Sequence, residues 1–173
     1  ILRQSGIYDV RIEHISGNLT DHYDPSSKVL RLSDSVYGST SVAAIGVAAH
    51  ECGHAVQHQV GYVPLSIRSA LVPVANFGSS LSWPIFVAGL IFSIGPLLDI
   101  GIILFLAAVL FQVVTLPVEF NASARAIRLL DSCGILGQQE IGGTKKVLTA
   151  AALTYVASLA ASILQLLRLL ILA

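Results

Sequence analysis

Two long stretches without a charged residue constrain this chain more than any other feature of its sequence. Residues 81–98 and 100–118 contain 18 and 19 residues, and neither stretch contains Asp, Glu, Lys or Arg. Because a helix needs about 20 apolar residues to cross the hydrocarbon core of a bilayer, each stretch is long enough for one span. Only Asp99 separates them, among Gly and Pro residues, so we predict a transmembrane hairpin with a tight turn at Asp99.

The rest of the chain completes a predicted organisation in five parts. Polar sequence precedes the hairpin, and it returns between the hairpin and a final apolar stretch. The parts are a lobe with a small sheet and a helix (1–64), an interfacial helix (65–80), the transmembrane hairpin (81–118), a polar helix with a loop (119–146) and a third transmembrane helix (147–173). We expect a helix break near Pro73, a helix from Glu119 to Asp131 and a Gly-rich loop that extends through Gly143.

The composition agrees with a mainly α membrane protein that carries one polar lobe. Charged residues make up 12% of the 173 residues, whereas a soluble domain usually contains about 25%. The formal net charge is zero, which argues against a nucleic-acid partner. Because the sequence starts at Ile1 and contains no Met, we expect that an N-terminal portion precedes it.

The distribution of basic residues predicts the orientation in the membrane. A two-span hairpin returns the chain to the side it left, so residues 1–80 and 119–146 face the same compartment. These segments contain nine of the ten Lys and Arg residues, and the turn between the spans contains none. Under the positive-inside rule, we expect both segments to lie in the cytoplasm.

An H-E-x-x-H motif lies at residues 50–54, inside a segment, 39–59, whose pattern predicts a helix. His50 and His54 are four residues apart and lie on one helix face, so both rings can reach one Zn²⁺. Glu51 points away from the ligand direction and can take a proton from an attacking water as general base. A bare motif also arises by chance around two core histidines. Here the flanking residues are small and apolar, and burying unpaired charge among them is costly.

The segment just before this helix has two possible roles. Residues 28–33 are β-prone. They form either an ordinary strand of a small sheet or an edge strand that a substrate peptide extends by main-chain hydrogen bonds. The sequence supports both interpretations equally.

A catalytic zinc site needs a third protein ligand. The candidates that follow the motif are Asp99, Glu119, Asp131, Glu140 and His58. His58 lies about 12 Å along the helix axis from His50, which is too far to share one ion. Glu119 fits best because it opens a helix on the side predicted for the motif, although an acid there could also serve only to stabilise a helix N-terminus. We interpret Asp131 and Glu140 as solvated.

Three stretches resemble the YugP-like family of membrane zinc metallopeptidases. They are Asn-Leu-Thr-Asp-His-Tyr-Asp at 18–24, the motif at 50–54 and Leu-Pro-Val-Glu-Phe-Asn-Ala-Ser-Ala-Arg-Ala at 116–126. The resemblance extends over essentially the whole chain. It implies a membrane zinc metallopeptidase. Together with the patterns above, we expect a bacterial, mainly α membrane protein with a zincin-like H-E-x-x-H helix, a small β-sheet lobe and three transmembrane helices.

The stretch Glu-Phe-x-Ala at 119–122 is also similar to the E-F-x-A-D motif of HtpX-like and prenyl-protein membrane proteases. This likeness implies that Zn²⁺ is bound by His50, His54 and Glu119, with Glu51 as the base. Ser123 stands where the HtpX-like pattern has Asp, so Ser123 or Asn121 is expected to support a ligand histidine. The residues open to an oxyanion-stabilising role are Arg125, His22, Tyr23 and Tyr155.

Three functions follow from these patterns. The preferred one is a membrane-anchored zinc endopeptidase that cleaves peptide or membrane-protein substrates at the cytoplasmic surface of the bacterial plasma membrane. The second is an intramembrane protease of the site-2 type, in which Asp99 of the stretch Leu-Asp-Ile-Gly (98–101) completes the metal site. The third is a zinc-stabilised or metal-free membrane scaffold without activity. Metal content and dependence on Glu51 distinguish the enzymes from the scaffold.

Overall fold

A computed structural model describes residues 1–173 and contains four helices and one small sheet. The helices are α1 (Val42–Gln59), α2 (Val63–Phe92), α3 (Gly95–Ser132) and α4 (Gln138–Leu172). The strands are β1 (Arg11–Ile15), β2 (His22–Asp24) and β3 (Val29–Ser33). The prediction of a mainly α protein with a small sheet is confirmed.

The sheet has the order β1-β3-β2, so β3 is its central strand. Leu30 of β3 pairs with Ile12 of the parallel strand β1 and with Tyr23 of the antiparallel strand β2. Of the two interpretations of residues 28–33, the edge strand is therefore wrong, and the segment is an ordinary strand of the sheet. The physical reason is that β3 is the most apolar of the three strands, with four of its five residues buried. A strand at the centre of a sheet is covered by a neighbour on each side, which suits such a strand. The edges belong to β1 and β2.

Helix α1 is capped at its N-terminus by Ser41. The main-chain N–H of Ala44 donates to the Ser41 hydroxyl over 3.2 Å, which satisfies one of the free donors of the first turn. One face of α1 then packs with Leu30, Leu32 and other apolar residues around the sheet. The opposite part of its surface is left for the motif side chains.

Three helices, α2, α3 and α4, are long and apolar enough to cross a membrane, which agrees with the predicted number of spans. The joint between α2 and α3 differs from the prediction, because it lies at Ser93 and Ile94 and not at Asp99. Ser93 adopts a left-handed φ of 54°. Pro96 follows in the first turn of α3, where a helix needs no N–H donor. Asp99 is an exposed residue inside α3.

The helices also continue where breaks were expected. Helix α2 runs through Pro73, and α3 runs through Pro117, so Glu119 lies within a helix and does not begin one. In membrane helices, neighbouring groups satisfy the main-chain oxygens that a proline leaves free, and such prolines are tolerated.

The Gly-rich loop is shorter than predicted, since α4 already begins at Gln138. Gly143 is helical, and a Cβ added there would meet Val42 of α1 at 3.6 Å. A Cβ added to Gly46 of α1 would lie 2.8 Å from the Thr144 side chain of α4. Gly46 therefore allows α1 and α4 to approach one another, and Gly143 lies in a helix and not in a loop.

The chain forms two compact units. The first contains Ile1–Leu65 and Val118–Leu153, and the second contains Ser66–Pro117 and Thr154–Ala173. The first unit holds the sheet, α1 and the polar parts of α3 and α4. The second consists of apolar helical segments, in which Gln112 donates to the Ser162 hydroxyl over 3.0 Å. The division of the chain into the five parts predicted from the sequence stays a prediction.

Candidate metal centre

Three side chains of the first unit converge on one point. His50 and His54 extend from α1 and Glu119 extends from α3, and one potential ligand atom from each lies within 4.8 Å of the others. The Nε2 atoms of His50 and His54 are 3.2 Å and 3.7 Å from Glu119 Oε2. The two rings are nearly perpendicular, with centroids 4.7 Å apart. A set of two imidazole nitrogens and one carboxylate oxygen is typical of catalytic zinc sites.

Close contact between α1 and α3 makes this convergence possible. A Cβ added to Gly53 would lie 2.5 Å from the main-chain oxygen of Ala122, so only glycine fits at that position. Ala49 and Ala126 are completely buried in the same region. Small residues on both helices therefore bring the two backbones together, and the longer ligand side chains meet beside the contact.

The electrostatics of the triad favour a cation. Glu51 and Glu119 are only 7% and 2% exposed, and buried carboxylates need a compensating positive charge. Burial alone would lower the pKa of His54, but the hydrogen bond with Glu119 and the negative charges of Glu51 and Glu119 outweigh it, and the net pKa of His54 is raised. The two buried carboxylates thus favour a positive charge at the site.

Each histidine has a neutral partner on its other ring nitrogen. His50 Nδ1 lies 3.1 Å from the Ser123 hydroxyl, in agreement with the expectation that Ser123 supports a ligand histidine. His54 Nδ1 lies 2.9 Å from Gln57 Oε1, and Asn121 contacts Gln57 instead of a histidine. Sequence reasoning missed Gln57. Its position three residues after His54, on the same helix face, is the signal that could have identified it.

The other histidines have separate contacts. His58 is exposed, and its Nδ1 lies 2.8 Å from the Tyr23 hydroxyl of β2. His22 is exposed as well, and its Nδ1 donates to the main-chain oxygen of Thr20 over 2.8 Å. Neither belongs to the group of three side chains that could hold a metal ion. The Tyr23–His58 bond does connect β2 to the motif helix.

The remaining candidates lie elsewhere. Asp131 accepts a hydrogen bond from Gln138, and Glu140 accepts one from the main-chain N–H of Gly137. Both acids are exposed, as expected for solvated residues. Asp99 and Tyr155 belong to the second unit, so the ligand group of the first unit forms without Asp99.

Comparison with known proteins gives two matches. Residues 1–173 match the sequence model of a family described as "Putative neutral zinc metallopeptidase". A Bacillus subtilis (strain 168) protein described as "Putative membrane protease YugP" is 49% identical over 168 residues, which is 97% of this chain and 75% of that relative. No solved structure matches the chain.

Proposed function

The chain belongs to this family of neutral zinc metallopeptidases, and from that premise we propose that it is a membrane-anchored zinc endopeptidase. The observation that carries the proposal is the convergence of His50 and His54 from α1 with Glu119 from α3. The buried carboxylate of Glu51 follows the first of these ligands directly. This is the combination that hydrolysis of an amide by an activated water requires.

The donor set of the triad fits zinc. Zn²⁺ accepts imidazole nitrogen and carboxylate oxygen in a four-coordinate site, and a catalytic site keeps one position open. When bound there, the ion would acidify a water molecule and polarise the substrate carbonyl. The chain supplies the ligands through His50, His54 and Glu119, and it excludes bulk solvent from Glu119 by burial.

Glu51 is assigned the general-base role. Its position next to His50 on α1 turns its carboxylate away from the ligand direction, and the side chain is buried beside the two histidines. It is therefore available to take a proton from the attacking water and to return it to the leaving amine. General-base catalysis of this kind contributes about 10²–10⁴-fold to the rate.

The sheet offers β2 as the strand for substrate binding. Because β3 is covered on both sides, an added peptide can pair only with β1 or β2. Tyr23 of β2 contacts His58 of α1, one turn beyond His54, which supports β2 as the edge beside the ligands. In this arrangement the substrate main chain pairs with residues 22–24.

The proposed location is the cytoplasmic surface of a bacterial plasma membrane. The ligands precede and follow the segment 66–117 along the chain, and this segment contains no Lys or Arg beyond Arg68. The excess of basic residues in the first unit supports a cytoplasmic position under the positive-inside rule. Peptides and membrane proteins with exposed segments on that side are the proposed substrates.

The decisive experiment compares Glu51→Gln with the wild-type protein loaded with zinc in detergent. We expect the variant to retain stoichiometric zinc and its fold but to lose peptide hydrolysis by about two orders of magnitude or more. Glu140→Gln is the matched control, because this acid is exposed and should keep full activity. Casein cleavage by Glu51→Gln at the wild-type rate would remove the endopeptidase proposal.

A further inference from the structure

We propose that Arg125, Asn121 and Gln57 form a hydrogen-bond relay that determines which ring nitrogen of His54 carries the proton. Gln57 is the positioning residue of this relay, and Arg125 acts through it. The inference rests on the proposed function only in that His54 is a metal ligand. It gives Arg125 a role different from oxyanion stabilisation.

At one end of the relay, the orientation of the Gln57 amide is fixed by a carbonyl oxygen, which can only accept a hydrogen bond. The Gln57 Nε2 atom lies 2.8 Å from the main-chain oxygen of Val118, and a carbonyl oxygen only accepts hydrogen bonds. The nitrogen of the Gln57 amide must therefore face Val118. This assignment turns the amide oxygen of Gln57 towards His54.

At the other end of the relay, the orientation of the Asn121 amide is fixed by the Arg125 guanidinium, which can only donate. The Nε atom of Arg125 donates to Asn121 Oδ1 over 2.7 Å, and a guanidinium never loses its protons in a protein. Asn121 Oδ1 also accepts from Gln57 Nε2 over 3.0 Å. The guanidinium carbon lies 6.0 Å from the centre of the Tyr62 ring, which restrains it. Both hydrogens of the Gln57 amide are thus used.

The consequence is a fixed proton on His54. Gln57 Oε1 accepts only, and it lies 2.9 Å from His54 Nδ1, so Nδ1 must carry the hydrogen. The Nε2 atom of His54, 3.7 Å from Glu119 Oε2, is then the ring nitrogen left to bind an ion. Gln57 is fully buried, so water does not offer an alternative partner. The ring is prepared as an Nε2 ligand before any ion binds.

His50 differs in a way that makes the inference specific. Its Nδ1 atom faces the hydroxyl of Ser123, and a hydroxyl both donates and accepts. Ser123 therefore does not dictate the tautomer of His50. A change in the relay should alter His54 and leave the proton distribution of His50 unchanged.

The test is nitrogen-15 NMR of the histidine rings in the full, metal-free chain, at a pH where the rings are neutral. We expect His54 to be the Nδ1–H tautomer in the wild type. Gln57→Met keeps the side-chain length but removes the acceptor, and should shift His54 towards the Nε2–H form that free imidazole side chains favour. Gln59→Met, at the exposed end of α1, is the control and should change nothing.

Zinc affinity gives a second readout, measured by competition with a chromophoric chelator. Loss of the residue that hydrogen-bonds the second ring nitrogen of a ligand histidine typically weakens metal binding by about 10–100-fold. We expect a decrease in this range for Gln57→Met. Arg125→Met should produce part of the effect, whereas the control Gln59→Met should bind zinc like the wild type. Arg125→Met also tests the relay if Gln57→Met does not fold.

Two results would overturn the inference. One is an Nε2–H tautomer of His54 in the metal-free wild type. The other is a Gln57→Met or Arg125→Met variant that is folded and keeps both the wild-type tautomer and the wild-type zinc affinity. Neither measurement uses peptide hydrolysis. A protein that binds zinc without cleaving peptides would therefore contradict the proposed function but not the proposed relay.

Discussion

Gly53 and Ala122 are in direct contact, with the main-chain oxygen of Ala122 only 2.5 Å from where a Cβ on Gly53 would be. Gly53 directly precedes His54 on α1, and Ala122 lies three residues after Glu119 on α3. Because the obstructing atom belongs to the backbone, it cannot turn aside as the end of a flexible side chain can. The distance between α1 and α3, which carry the candidate ligands, therefore depends on the absence of one methyl group.

Gly53→Ala should push α1 and α3 apart. We expect a loss of stability of about 1–3 kcal/mol, as for other overpacked contacts, and weaker zinc binding because the ligands no longer converge. Gly142→Ala is the matched control, since an added Cβ there meets no atom within 4 Å. Thermal unfolding with and without zinc measures both effects, and a Gly53→Ala protein as stable as Gly142→Ala would contradict the packing argument.

The identity of the third ligand separates the two protease classes. Glu119→Ala should release zinc, because its carboxylate lies beside both histidines. Asp99→Ala should retain zinc, because the ligand group of the first unit forms without Asp99. Metal content after dialysis decides between them. The reverse pattern would mean that the active site is of the intramembrane, site-2 type.

The two motif histidines should behave differently from the third histidine on the same helix. His50→Ala and His54→Ala should each lose zinc, since a three-ligand site tolerates the loss of an imidazole poorly. His58→Ala should keep zinc and lose only its bond to Tyr23. Atomic absorption gives the answer. Stoichiometric metal in His50→Ala or His54→Ala would show that the histidines are structural.

Substrate should contact the edge strand β2 and not β1. A photo-crosslinking residue at His22 in β2 should capture a peptide substrate, and a competing inhibitor should reduce the yield. The same residue at Ile12, an exposed position of β1, serves as the control and should capture little. The idea fails if crosslinks form at Ile12 and are absent at His22.

The two cysteines should differ in their rates of alkylation. Burial raises the pKa of the Cys52 thiol to about 12, so almost none of the reactive thiolate is present at neutral pH. Cys133 is only half-buried and should be labelled first by iodoacetamide. Mass spectrometry of partly labelled protein measures the order. Rapid labelling of Cys52 in folded protein would show that α1 is not packed as described.

Much of the site was predictable because it depends on local spacing. The interval between His50 and His54 determines that they share a helix face, whatever the rest of the chain does. The charge-free stretches likewise indicated the number of spans. Glu119 was reached with the help of elimination, since few acids follow the motif. These features need no knowledge of distant contacts.

The errors came from contacts between distant residues. The central position of residues 28–33 depends on pairing with both β1 and β2, which the strand's own sequence does not reveal. Gly143 suggested a loop, but it is helical and packs beside Val42. The role of Gln57 likewise depends on Val118 and Asn121, more than 60 positions away in the sequence. Local propensity carries no information about such partners.

The position of Glu119 on α3 has a consequence for the nascent chain. His50, Glu51 and His54 emerge from the ribosome first, and Glu119 follows only after both apolar segments of the hairpin have been made. The proposed ligand set therefore stays incomplete while the N-terminal lobe (residues 1–64) is already exposed to other proteins. A zinc peptidase arranged in this order has no complete metal site until its synthesis has passed both apolar segments of the hairpin.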